Sequence, residues 1–133
     1  MNAPDPFHFT IEFDGAIAVI VLEGTMCPEA RGGLLRLQSE IKEAKQEWAV
    51  FDFTALTDPS RSLFVDLFRI LTRLKKSNKR AVFVDREGDI IASLVNWGII
   101  LPTEIFDSVV AAKQALAPKL LAAPPVRLLL KAS

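Results

Sequence analysis

Disulfide and metal chemistry have little to work with in this chain. Among its 133 residues there is one cysteine, Cys27, and one histidine, His8. A lone cysteine closes no internal disulfide, so the composition gives no support to an oxidising compartment. His8 has no second histidine or cysteine nearby in sequence with which to build a metal site. Net charge is also missing, because sixteen Lys and Arg balance sixteen Asp and Glu. Nothing in that balance draws the chain to nucleic acid or anionic lipid. The cluster Lys75, Lys76, Lys79 and Arg80 comes without an aromatic platform on which bases would stack, and reads as a solvated helix end. Apolar runs such as AIAVIVL are far too short to span a membrane. The opening MNAPDPFHF has no basic segment ahead of an apolar core, unlike a secretory signal. The expected setting is the cytoplasm, with no membrane insertion and no nucleic-acid partner.

Catalytic signatures are absent as well. There is no phosphate-cradling glycine loop, serine elbow or pair of catalytic carboxylates. Cys27 precedes a helix start, which would lower its pKa if it were exposed, yet no base lies near it in sequence. Asp85, Glu87 and Asp89 do not have calcium-loop spacing, and Glu87-Gly88-Asp89 suits a helix entry. These absences point to a binding module, not an enzyme, with no cofactor.

What is present is a globular composition, 50% hydrophobic and 24% charged, sufficient for one domain with one core. Phe7, Phe9, Ile11 and Phe13 alternate with His8, Thr10 and Glu12, which predicts a strand with one buried face. Asp14-Gly15 reads as a two-residue turn into a second strand, AIAVIVLEG. Pro28 can open a helix over 28–46 carrying Leu34, Leu35, Leu37 and Ile41 on one side. Gly32-Gly33 inside it are unfavourable by about 1 kcal/mol each relative to alanine. Either they permit close packing or they mark a looser first turn. A third strand is predicted over 48–53, a second helix over 61–77 and a fourth strand over 80–85. A third helix around 90–97 is stopped by Gly98. A short strand at Ile105-Phe106 and a last helix from Asp107 or Ser108 to about Leu116 complete the order. Strands alternating with helices imply a largely parallel sheet of about five strands with about four helices, an α/β sandwich opened by one hairpin.

Three stretches carry a resemblance. IAVIVLEGTM, VFDFTALTDPSRSLFVDLFRIL and LVNWGIILPTEIFDSVVAAKQAL together resemble the STAS domain, the fold of bacterial anti-sigma factor antagonists and of the cytoplasmic tails of sulfate transporters. The likeness covers about residues 7–117. It implies a STAS-like domain over 1–117 and leaves 118–133 as a Pro/Leu-rich extension. It also implies transcription regulation through a protein partner, a kinase-type anti-sigma factor among the candidates. In the antagonists the loop before the second helix carries Asp-Ser-Ser/Thr-Gly, and the serine after the aspartate is phosphorylated. Matching Asp58 to that aspartate puts Pro59 at the phosphorylated place. Counting without a gap from the preceding strand puts Arg61 there, with Ser60 on the aspartate and Ser62 next. Cys27 stands where the family carries an acidic residue after its first turn.

The segment LTDPSRSLF therefore has two readings. Asp58 and Ser60 suit a helix N-cap, accepting from the free N–H groups of the first turn. Alternatively Asp58, Ser60, Arg61, Ser62 and Phe64 form a partner-binding turn. A phosphate on Ser60 or Ser62 would be held by the free amides and would add nearly two negative charges to a contact surface. A non-switching structural subunit of a transport or stress-signalling assembly is the alternative role on the same fold. In the tail, Pro118 is expected to end the last helix, and Pro124-Pro125 to bar another. Val126, Leu128 and Leu130 alternate as an extra strand would. So many leucines need cover, on the sheet edge, on the domain's own surface, or on a second chain in a homodimer.

Overall fold

The structure, a computed structural model, describes residues 7–25, 31–57, 64–85, 92, 95, 96, 98 and 104–132, and the side chains of 57, 64–67 and 121–132 are outside that description. One mixed sheet forms its centre, with strand order β1-β2-β3-β4-β5. The strands are β1 (His8–Asp14), β2 (Ile17–Thr25), β3 (Trp48–Thr57), β4 (Arg80–Val84) and β5 (Ile105–Phe106). β1 pairs with β2 antiparallel, and every later pair is parallel. The helices are α1 (Arg31–Glu43), α2 (Phe64–Lys76) and α3 (Val109–Ala132). Ala92, Val95 and Asn96 are helical too, inside the stretch expected to form a further helix, most of which lies outside the described residues.

Strand alternation divides the core into two layers. On one face Ile20, Leu22, Ala49, Phe51, Phe53 and Phe83 meet Leu34, Leu37 and Ile41 of α1 and Ile70, Leu71 and Leu74 of α2. On the other, Ile17, Val19, Trp48, Val50, Val82 and Val84 meet Ala112 and Leu116 of α3. The rings of Phe51, Phe53 and Phe83 lie nearly parallel, with centroids 5.8 to 6.3 Å apart. Such offset aromatic pairs contribute about 0.5–1.5 kcal/mol each beyond the area they bury.

The hairpin turn falls one residue later than expected. Asp14 pairs with Ile17, leaving Gly15-Ala16 as the two turn residues. Gly15 has φ +59°, so the first turn position is one that a side chain disfavours. The two helical glycines differ from each other. A Cβ on Gly33 would stand 3.0 Å from the Phe7 ring, while one on Gly32 meets nothing. Close packing thus explains Gly33 alone, and against Phe7, the aromatic side chain just before β1.

β3 runs four residues beyond its expected end. Val21 pairs with Asp52 but Glu23 pairs with Ala55, so two residues of β3 oppose one of β2. This bulge shifts the buried phase from Phe51 and Phe53 to Leu56. Period-2 alternation breaks there, and that break is what hid the strand's continuation.

The last helix is also longer than expected. Ser108, the second of the two candidate caps, accepts from the Ala111 N–H at 3.0 Å. α3 then continues through Pro118 and Pro124-Pro125 to Ala132, in place of the expected stop and strand. Pro118 removes the N–H that would reach the Gln114 carbonyl and its ring crowds that carbonyl, a cost met on the exposed side of the helix. The apolar stripe Val109, Ala112, Leu116 and Leu120 keeps its helical spacing past it. Lys119 lies over the Trp48 ring at 5.4 Å, and Lys113 Nζ lies 2.8 Å from Asp14 Oδ2, so residues 109–120 of α3 are tied to the sheet.

Candidate functional site

The two edges of the sheet are built differently. At the edge where the parallel strands begin, backbone bonds join successive connections. The Trp48 N–H donates to the Ala16 carbonyl, and the Arg80 N–H to that of Glu47. Helix α2 ends in a left-handed Asn78, φ +61°. The Asn78 N–H donates to Lys75 and the Lys79 N–H to Leu74, the paired bonds of a Schellman cap. Lys79 Nζ then donates to the carbonyls of Ala44 and Gln46, just past the end of α1. Burial pushes the Lys79 pKa down.

At the opposite edge, the carboxyl ends of β2 and β3 lie side by side, with Thr25 paired to Thr57. The segments 26–30 and 58–63 both leave from this pair. Open α/β sheets present their binding residues at this end. The bulge in β3 sits immediately before it, and the Asp52 carboxylate holds the bulge by accepting from the Thr54 N–H at 2.9 Å.

Asp58, Ser60, Arg61 and Ser62 lie outside the described residues, as do Cys27, Pro28 and Pro59. What the structure places is their frame, the end of β3 at Thr57 and the start of α2 at Phe64. His8 stands on the outer row of β1 as expected, with Nε2 3.4 Å from Glu23 Oε2 on the paired strand.

Leading away from this edge is the face of the second helix, which the STAS resemblance implies as part of the partner surface, with a patch of α1 that the sequence did not single out. Phe68 of α2 is 50% exposed and Leu35 of α1 is 59% exposed. Between the two helices runs a shallow groove lined by Arg31, Leu35, Gln38, Arg69 and Arg73. Three guanidinium groups and the uncovered Leu35 in this groove, with Phe68 exposed elsewhere on α2, make a surface suited to an acidic, partly apolar partner. In the sequence, Leu63, Leu67, Ile70, Leu71 and Leu74 give α2 its inward stripe; Phe68 falls off that spacing, and this was the signal available.

Neither the comparison with family models nor that with curated proteins gives a match. Solved structures do match in shape. An anti-sigma factor antagonist from Mycobacterium paratuberculosis superposes with a TM-score of 0.68 at 17% identity, over 88% of this chain and 99% of that one. The anti-sigma factor antagonist SpoIIAA in its unphosphorylated form gives 0.60 at 14% identity, over 81% and 92% of the two chains. The Bacillus cell fate determinant SpoIIAA in its phosphorylated form gives 0.62 at 14% identity, over 83% and 97%. These likenesses in shape show that this chain has a STAS-like fold, the fold of the anti-sigma factor antagonists.

Proposed function

We propose that this chain is a non-enzymatic protein-interaction domain of the antagonist kind, acting in bacterial transcription regulation in the cytoplasm. It binds a regulatory protein, a kinase-type anti-sigma factor, through Asp58, Ser60, Arg61, Ser62 and Phe64 and along the outer face of α2. The observation that carries this reading is the half-exposed Phe68 on the helix that starts where the candidate turn ends, a helix whose Arg69 and Arg73 line a groove against α1. A buried aromatic anchor with arginines around it is the usual composition of an interface hot spot. A phosphate on Ser60 or Ser62 would set about two negative charges at the start of α2 and dissociate the complex.

A second reading, an assembly subunit without a switch, is favoured by one observation. In either alignment the residue at the phosphorylated position is Pro59 or Arg61, neither a serine nor a threonine. Affinity capture from native lysate, with wild type and Arg61→Glu as baits, tests both. A histidine-kinase-like ATPase recovered by wild type alone supports the antagonist reading. Scaffold or transporter subunits recovered equally by both baits refute it in favour of the second.

A further inference from the structure

The outer edge of the sheet carries its own recognition pattern. β1 is a terminal strand, and among the described residues no strand pairs with its outer side. Edge strands are commonly blunted by lysine, proline or a bulge. HFTIEFD has neither residue, and its seven pairs with β2 run without a break. Its inward row is incompletely covered, for Phe9 and Ile11 are half-buried and Phe13 is 59% exposed. An open groove of ≈ 610 Å³ lies over that row, lined by Phe9, Ile11 and Phe13 with Arg36, Glu40 and Glu43 of α1.

We propose that β1 pairs antiparallel with β1 of a second copy of this chain, about a two-fold axis through Ile11, joining the two sheets into one. The strand is self-complementary in this register. Ile11 meets Ile11, Phe9 meets Phe13, Thr10 meets Glu12 and His8 meets Asp14. No two like charges are directly opposed, and aromatic pairs flank the axis on both sides. The helices match as well. α1 joins the end of β2 to the start of the parallel β3, so it runs beside β1 in the same direction. Consistent with this, Phe7 abuts Gly33 and Arg36 lies 5.0 Å from the Phe9 ring. Glu40 and Glu43 therefore lie toward the Phe13 end. The two-fold sets Arg36 of one copy on the side of the second copy's Glu43, and vice versa. On the opposite face, Asp14 already pairs with Lys113, and it gains His8 of the second copy. A second copy supplies the complementary pattern by symmetry.

Sedimentation of the full chain, from micromolar to hundreds of micromolar, tests the pairing. Wild type is expected to form a dimer that Phe13→Lys weakens by at least about tenfold, with melting temperature unchanged at concentrations where both proteins are monomeric, because the side chain is already exposed there. Register is tested by cross-linking in a Cys27→Ser background. Opposed Cα atoms in such a ladder are about 4.5–5.5 Å apart, inside disulfide range. Ile11→Cys is expected to cross-link between chains under mild oxidation, whereas Phe13→Cys, which would face Phe9, is not. A wild type that stays monomeric throughout overturns the proposal. So does a dimer that ignores Phe13→Lys and gives no Ile11→Cys cross-link, the result expected if copies met through the end of α3.

Discussion

Asp52 Oδ1 accepts a hydrogen bond from the Thr54 N–H at 2.9 Å, across the two residues by which β3 bulges away from β2. This contact fixes where the end of β3 points, and with it the take-off of the segment bearing Asp58 to Ser62. Asp52→Ala removes the acceptor and is expected to cost about 1 kcal/mol, while Asp52→Asn, which can still accept, costs less. Chemical denaturation checks the energies. Partner affinity should fall in the alanine variant beyond what its stability loss explains, because the turn loses its aim.

Lys79 performs the corresponding task at the other edge. Its ammonium donates to the carbonyls of Ala44 and Gln46 and so bridges the chain after α1 to the chain after α2. Lys79→Met keeps the stem but leaves both carbonyls without this donor, for an expected loss of about 1–2 kcal/mol. Desolvation holds the folded-state pKa of Lys79 below the ordinary 10.5. Between the two values the unfolded chain carries the extra proton, so this group makes stability rise with pH across that window. Side-chain nitrogen chemical shifts, followed through an alkaline titration, should report the lowered value for Lys79.

The two glycines of α1 should respond oppositely to the same substitution. Gly32→Ala adds a methyl into open space and gains helix propensity, about 0.5–1 kcal/mol. Gly33→Ala makes the same local gain but drives its Cβ against the Phe7 ring at 3.0 Å, so the stabilisation is reduced or reversed. Paired melting curves read the difference. Equal gains at both positions would mean that Phe7 does not hold its place on α1.

Much of this architecture was legible because its signals are periodic. The alternation of Phe7, Phe9, Ile11 and Phe13, the side Leu34-Leu35-Leu37-Ile41 and the stripe Leu63-Leu67-Ile70-Leu71-Leu74 each state one buried face. The structure buries Leu34, Leu37, Ile41, Ile70, Leu71 and Leu74 and half-buries Phe9 and Ile11. It leaves Leu35 and Phe13 each 59% exposed, at the margins of their faces, while Leu63 and the Leu67 side chain lie outside the described residues. What was missed had no local period. The bulge at Phe53-Thr54 depends on a partner strand thirty residues earlier, and a single-strand pattern reads it as an ending. Pro118 carries a strong local penalty that the packing of Leu116 and Leu120 on the far face of the sheet offsets. The candidate surface was half legible: the turn residues stand out in sequence, whereas the Arg31, Arg69 and Arg73 groove arises only when α1 and α2 lie side by side.

Phe68 offers the cleanest separation of binding from folding. It sits on the outer side of α2, 50% exposed, and its neighbours Ile70, Leu71 and Leu74 carry the packing. Phe68→Glu preserves helix propensity and should change stability by less than about 1 kcal/mol. For a partner that uses this aromatic ring as an anchor, the same substitution should cost about 2 kcal/mol of affinity or more, a loss of roughly thirtyfold. The added carboxylate would also meet an acidic partner surface with like charge, beside the arginines that attract it, so the loss should deepen as salt is lowered. Leu35→Glu, across the groove on α1, is expected to act in the same direction. Titration calorimetry against the captured partner, run with thermal melts of the same variants, decides the matter. Unchanged affinity in both variants would place the partner on another face and leave α2 a structural helix.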